Sequence, residues 1–244
     1  MVSCRHKGVV ILRGSVTALL LALCLTGAHA ITYHGGLTTA ASHSDPDFVV
    51  DGIDGTGFWI DPGDTSLEWW VSQTLPTDPW HYKYVLTTPG PGGAPSHFII
   101  ETTNPFTEGN PDYFNATGSF GSDTVSLHLG PSPGNPFMPD DVYGIKFDQL
   151  SGAIVVTFEF DSFRNPVWGD FYSKCGKTGG IQNTAWNKGL TDNDTDPNLV
   201  PSNGSLNFHV LRPNGETQDI PEPGTMVLFG LGLAAAAFMR LRKR

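Results

Sequence analysis

IVVTFEFD, residues Ile154 to Asp161, is the segment whose reading decides the fold. Ile154, Val156, Phe158 and Phe160 alternate with Val155, Thr157, Glu159 and Asp161. An extended chain points successive side chains to opposite sides, so a period of two gives one apolar face and one polar face. The β-branched and aromatic residues suit a pleated, half-buried surface. Just before it, Ile145 and Phe147 oppose Lys146 and Asp148, and Leu150-Ser151-Gly152 supplies turn residues. The spacing predicts a hairpin that pairs Ile145–Asp148 with Ile154–Asp161.

The same alternation extends in both directions. Leu67, Trp69 and Val71 alternate with Glu68, Trp70 and Ser72; Trp80, Tyr82, Tyr84 and Leu86 alternate with His81, Lys83 and Val85. Val125, Leu127 and Leu129 share a face against Ser126 and His128, and Leu206, Phe208 and Val210 close the set. Breakers separate these runs: Asp51-Gly52, Asp54-Gly55, Pro62-Gly63, Pro89 to Gly93, Pro131 to Pro136 and Asn214-Gly215. Between the two chain ends, no segment keeps a 3.6-residue period long enough for a helix. About nine short strands with regular turns predict an all-β fold, a jelly-roll-like β-sandwich.

Both ends have a different character. Arg5, Lys7 and Arg13 precede an apolar core, Val16 to Leu25, and Ala28-His29-Ala30 is a small-x-small cleavage site. Residues 1–30 therefore read as a signal peptide cut after Ala30 by signal peptidase. Cys24 does not make a lipobox, because the residue before it, Leu23, is not small. At the other end stand Pro221-Glu222-Pro223-Gly224, an uncharged run from Thr225 to Met239, and a basic cluster of Arg240, Arg242, Lys243 and Arg244. The prolines stiffen the entry, and the basic cluster fixes the end on the cytoplasmic side. The apolar run rises about 22 Å as a helix, short of the roughly 30 Å hydrocarbon core of a bilayer. It reads as a short transmembrane helix suited to transient residence in the inner membrane. The body then spans residues 31–219 and the tail residues 220–244.

The order of parts in this tail resembles the PEP-CTERM sorting signal of Gram-negative bacteria. Pro221, Glu222 and Pro223 match the motif, followed by the Gly/Leu/Ala-rich helix and the Arg-rich end. The resemblance implies recognition and cleavage near the motif by an exosortase, in species that make exopolysaccharide. An ordinary C-terminal anchor behind a proline-rich linker is the plainer alternative. A second resemblance lies in the body, at Val167-Trp168-Gly169-Asp170-Phe171-Tyr172-Ser173-Lys174, continued by Asn183-Thr184-Ala185-Trp186-Asn187. It looks like the C-terminal half of small exported PEP-CTERM proteins with a WGDFY-type segment, for which no catalytic activity is implied. Cys175 departs from that pattern, where a polar residue is expected.

Charge narrows the partners. The body holds 7 Lys and Arg against 23 Asp and Glu, a net charge of −16 that the basic ends reduce to −10 for the whole chain. Such an exterior argues against nucleic acid and against anionic polymers held by bulk electrostatics. Cys175 is the one cysteine of the body, so the domain must be stable without an internal disulfide.

Three groups are candidates for chemistry. Asp192, Asp194 and Asp196 set carboxylates at alternate positions, as a calcium loop does, but Pro197 and Asn203 stand where an EF-hand has its Gly and Glu. Calcium is therefore weighed against a solvated acidic turn; Asp51, Asp54, Asp61 and Asp64 form a weaker set. Exposed tryptophans would stack on sugar rings. Trp69 and Trp70 cannot share a face of one strand, so Trp70 is the first candidate and Trp80 the second, although most of these aromatics are expected to fill the interior. Catalysis has little support. There is no HExxH, no Gly-x-Ser-x-Gly and no evident partner for a Cys175 nucleophile, and Glu159 and Asp161 read as the wet side of a strand. The expectation is a non-enzymatic exported protein of the cell surface or extracellular matrix, structural or adhesive in a biofilm or exopolysaccharide setting. A carbohydrate-binding module for exopolysaccharide and a secreted hydrolase are the alternatives.

Overall fold

The computed structural model describes residues 30–90, 93–109, 112–178, 180–192 and 199–214. These contain β1 (Ile31–Thr38), β2 (Phe48–Val49), β3 (Ile53–Thr56), β4 (Ser66–Gln73), β5 (Trp80–Thr87), β6 (Pro95–Glu101) and β7 (Phe114–Gly118). They continue with β8 (Ser122–His128), β9 (Val142–Asp148), β10 (Val155–Ser162), β11 (Pro166–Gly169), β12 (Phe171–Thr178), β13 (Ile181–Asn187) and β14 (Val210–Pro213). Short 3-10 turns stand at Gly57–Trp59 and Lys188–Thr191.

The strands form the predicted sandwich. One sheet has the order β2-β1-β4-β5-β10-β7 and the other β3-β13-β12-β6-β9-β8, while β11 and β14 form a separate two-stranded ribbon. The apolar sets read from the sequence face inward: Leu67, Trp69 and Val71 on β4, Tyr82, Tyr84 and Leu86 on β5, and Val156, Phe158 and Phe160 on β10. Opposite them lie Phe98, Ile100, Ile145, Phe147 and Phe171 of the second sheet. The Phe158 ring sits 4.5 Å from Phe98 and 5.1 Å from Phe147, so the two sheets meet through stacked phenylalanines. Rings of this size bury 150–250 Å² each, roughly, which supplies the stability a disulfide would otherwise add.

The expected hairpin does not form. β9 pairs with β6 and β8 in one sheet, whereas β10 pairs with β5 and β7 in the other. Residues 149–154 step between the sheets, which stand about 10 Å apart, well within reach of an extended segment of that length. The alternation was sound but silent on partners: Phe147 and Phe158 face each other across the core instead of lying side by side.

Two further expectations are corrected. On β8 Val125 packs inward, but Leu127 and Leu129 are 55% and 56% exposed while His128 is buried. β8 is an edge strand, so its inward face runs off the core. The segment after it folds over the outer face of the second sheet. There Met138 joins Ile99, Val142, Tyr172 and Leu190 in a second apolar cluster, and the Tyr172 hydroxyl donates to the Pro136 carbonyl at 2.7 Å. The run Leu206, Phe208, Val210 is not one strand either. Asn207 and Phe208 take positive φ, Phe208 is partly exposed, and pairing begins at Val210.

The ribbon closes one part of the core. Tyr82 and Tyr84 donate to the carbonyls of Arg164 and Leu211, both at 2.8 Å, and the Trp80 indole donates to Asn165 at 3.0 Å. Burial pushes both tyrosine hydroxyls well above their usual pKa. Their protons are thus kept as donors to the ribbon. Phe158→Ala is expected to lower the unfolding free energy by about 3–5 kcal/mol, measured by urea denaturation, because the stacked neighbours cannot collapse into the space. A loss below about 1 kcal/mol would show that the sheets do not meet through this ring.

Candidate functional site on the outer face of the first sheet

The Met138 cluster covers the middle of the second sheet's outer face, and the outward face of the first sheet carries the denser polar chemistry. Strand register builds a row across it. His34 on β1 lies opposite Trp70 on β4, Trp70 opposite Lys83 on β5, and Lys83 opposite Glu159 on β10. Each is an outward residue because its strand neighbours on either side point to the core.

Trp70 is the centre of this row and is half-buried. His34 stacks on its ring at 5.2 Å from the β1 side, and the Lys83 ammonium stands 5.5 Å from the ring centroid on the β5 side. Lys83 also pairs with Glu159 at 3.3 Å. That pair is partly exposed and worth about 0–1 kcal/mol. One strand step away, His81 Nδ1 meets Asp161 at 2.9 Å, and the Asn115 amide donates to the same carboxylate at 2.9 Å.

At the β1 end of the row the chemistry is denser. His34 Nε2 lies 2.9 Å from Glu68 Oε1, and its Nδ1 lies 3.3 Å from Asp47 Oδ2. Asp45 joins them: one ligand atom each from His34, Asp45 and Glu68 fall within 4.8 Å of one another. Burial alone would lower the imidazole pKa, but the hydrogen bonds to Glu68 and Asp47 outweigh it and hold the pKa above the usual value. Gly36 makes room for this corner. A Cβ there would come within 2.4 Å of the Phe48 ring, which packs edge-on beside His34.

The sequence-derived candidates distribute as follows. Trp70 faces outward and Trp69 inward, as one strand requires. Trp80 is 6% exposed and stacks on Tyr33 at 5.9 Å, so it offers no ring face to a sugar. Asp51 pairs with Lys188 at 2.7 Å. Asp192 is exposed, whereas Asp194 and Asp196 lie outside the described residues. So do Pro221, Glu222, Pro223, Arg240, Arg242, Lys243 and Arg244. Ala30 is exposed and directly precedes β1, which places the expected cleavage at the edge of the folded body. Among the described residues no helix is long and apolar enough to cross a membrane; the C-terminal apolar run is not among them.

Cys175 is buried, with the Asn183 amide donating to its sulfur at 3.3 Å. Asp170 and His209 form a 2.9 Å pair, but His209 is fully buried, so no substrate reaches the imidazole in this conformation. A cleft of about 370 Å³ lined by Phe58, Pro62, Gly63, Asp64 and Pro89 presents a single carboxylate and no acid–base partner.

The cluster of His34, Asp45, Asp47 and Glu68 was missed from sequence. Glu68 was read as the polar side of its strand. His34 is one of several scattered histidines without metal-ligand spacing, and Gly35 and Gly36 interrupt the alternation of β1. Its only sequence signal is a His in a strand and an Asp-Pro-Asp turn eleven residues later.

No curated protein and no solved structure matches the chain. The family model of the PEP-CTERM protein-sorting motif matches residues 219–243, and the match does not extend to the WGDFY-type segment of the body. The chain thus carries, beyond its last described strand, the sorting signal of an exported PEP-CTERM protein processed by an exosortase system.

Proposed function

We propose that the chain is a non-catalytic building block of the cell surface or extracellular matrix, structural or adhesive in a biofilm or exopolysaccharide setting. The observation that carries this reading is the sorting motif at residues 219–243, beyond a β-sandwich body whose last described strand ends at Pro213. The interior supports it: the candidate aromatics Trp80, Tyr82 and Tyr84 are spent on packing and on carbonyl caps of the ribbon. The sorting helix holds the body at the inner membrane until cleavage, and the acidic body, without its basic ends, then passes to the envelope or matrix. Mass spectrometry of the protein from its native host is expected to find an N-terminus at Ile31 and a C-terminus near Pro221–Pro223 in the envelope or matrix fraction. An intact Arg244 there would demote the tail to a permanent anchor.

Carbohydrate binding is the second reading, and the outward Trp70 favours it. Its ring faces are occupied by His34 and Lys83. A sugar would have to displace one, and the flexible, partly exposed Lys83 is the easier to move. Retention on host exopolysaccharide is expected to fall at least about tenfold in Trp70→Ala if stacking contributes the ~1.4 kcal/mol that such a ratio represents. Absence of retention by any matrix polymer removes this reading and leaves the structural one.

Calcium remains proposed for the Asp192, Asp194, Asp196 loop, where alternate carboxylates suit a hard cation. A ligand that binds only the folded state raises its stability, so a chelator is expected to lower the melting temperature of the calcium-loaded protein. An unchanged melting temperature would remove calcium from the loop.

A further inference from the structure

We propose that His34, Asp45 and Glu68 form a binding site for a divalent transition-metal ion of the zinc class, with Asp47 as the carboxylate that orients the imidazole. The proposal is independent of what the sandwich does at the surface.

The ligand set is already assembled. The three donor atoms lie within 4.8 Å of one another, a separation that small side-chain adjustments close around an ion with ligand distances of about 2.0–2.2 Å. His34 Nε2 and Glu68 Oε1 are 2.9 Å apart and need almost none. The other imidazole nitrogen, Nδ1, is held by Asp47 at 3.3 Å. This is the second carboxylate that metal-bound histidines use to fix their tautomer and ring direction.

The backbone holds the pieces in place. Glu68 and His34 stand on adjacent, fully paired strands. The loop that carries Asp45 and Asp47 is tied back to β1 by the Gly36 amide, which donates to the Asp47 carbonyl at 3.1 Å. The Asp47 amide donates to Asp45 Oδ1 at 2.9 Å. His34 is fixed on its other side by its amide to Asn203 and by the Gly204 amide to its carbonyl. Phe48 and Trp70 wall the imidazole. The site is half-buried, so an ion can enter from solvent.

The imidazole separates this corner from a solvated acidic turn and selects the metal. Calcium and magnesium take oxygen ligands, whereas one imidazole with carboxylates suits zinc and its neighbours. Three protein ligands leave a fourth tetrahedral position to water or to an exogenous donor. A metal bound through Nε2 requires the imidazole proton on Nδ1, the side held by Asp47.

The test is zinc titration of the full chain, stripped by chelation, read by calorimetry and by melting temperature. One equivalent is expected to bind and to raise the melting temperature. His34→Gln and Glu68→Gln are expected to weaken binding by more than about 100-fold, and Asp47→Asn by about 10–100-fold, the range for a carboxylate behind a ligating histidine. Asp45→Asn sits on the loop outside the strands and carries the test if either strand variant fails to fold. Cys175→Ser is expected to leave binding unchanged. Cobalt in place of zinc is expected to give visible absorption that His34→Gln abolishes. No zinc binding, or binding unaffected by His34→Gln and Asp45→Asn, would overturn the assignment.

Discussion

A single buried carboxylate ties the molecule together. Asp170 lies in the break between β11 and β12, and its Oδ1 accepts from the Asn187 amide at 2.6 Å and from His209 Nδ1 at 2.9 Å. Its backbone amide donates to Glu101 at 2.9 Å, and its carbonyl accepts the Glu101 amide at 2.9 Å. Glu101 in turn pairs with Arg212 at 3.2 Å. The ends of β6, β11, β12, β13 and β14 therefore meet at one polar knot. Taking such charges out of water costs several kcal/mol per ion unless their partners are well placed. That cost makes other registers of these strands expensive, because a shift by one residue would leave Asp170 or Arg212 buried without its partners. The WGDFY-type segment is, in this structure, the seam of the fold: Trp168, Phe171 and Tyr172 are buried around Asp170.

The knot leaves the two sheets with different duties. The middle of the second sheet is covered on both faces, which explains why β6 reads His-Phe-Ile-Ile with little alternation: Phe98 and Ile100 face the core while Ile99 faces the cluster of Met138 and Tyr172. Doubly covered strands become continuously apolar. The first sheet keeps one wet face. Charged and aromatic side chains accumulate there in register, from His34 to Glu159, and this is where surface chemistry has room to occur.

Much of this was legible in the sequence wherever one face is buried and the other is wet. β4, β5 and β10 announced their inward residues through strict alternation, and the sorting tail announced itself through order and composition. Partnership was not legible. IKFDQLSGAIVVTFEFD looks like a hairpin because local pattern reports which face is apolar, not which sheet receives the strand. His128 and Leu127 exchanged roles because an edge strand and a covering loop changed what each face met. The corner of His34 stayed hidden for a related reason. Its members come from two strands and a loop, brought together by a parallel β1–β2 contact that Gly36 permits and no short-range signal marks.

The contacts of the last described residues before the tail have a mechanical meaning. Arg212 is gripped by Glu101 and by Thr103 at 2.6 Å, and the Asn214 amide donates to the Asn165 carbonyl at 2.8 Å. β14 runs antiparallel to β11 with Pro166 opposite Pro213 at the outgoing end. A pull on the C-terminus is therefore met first by the Asn214–Asn165 hydrogen bond and by a guanidinium clamped to the end of β6, and only afterwards by the phenylalanine core. While the chain is tethered at the membrane, any force between tether and body passes through that clamp before it reaches the sandwich.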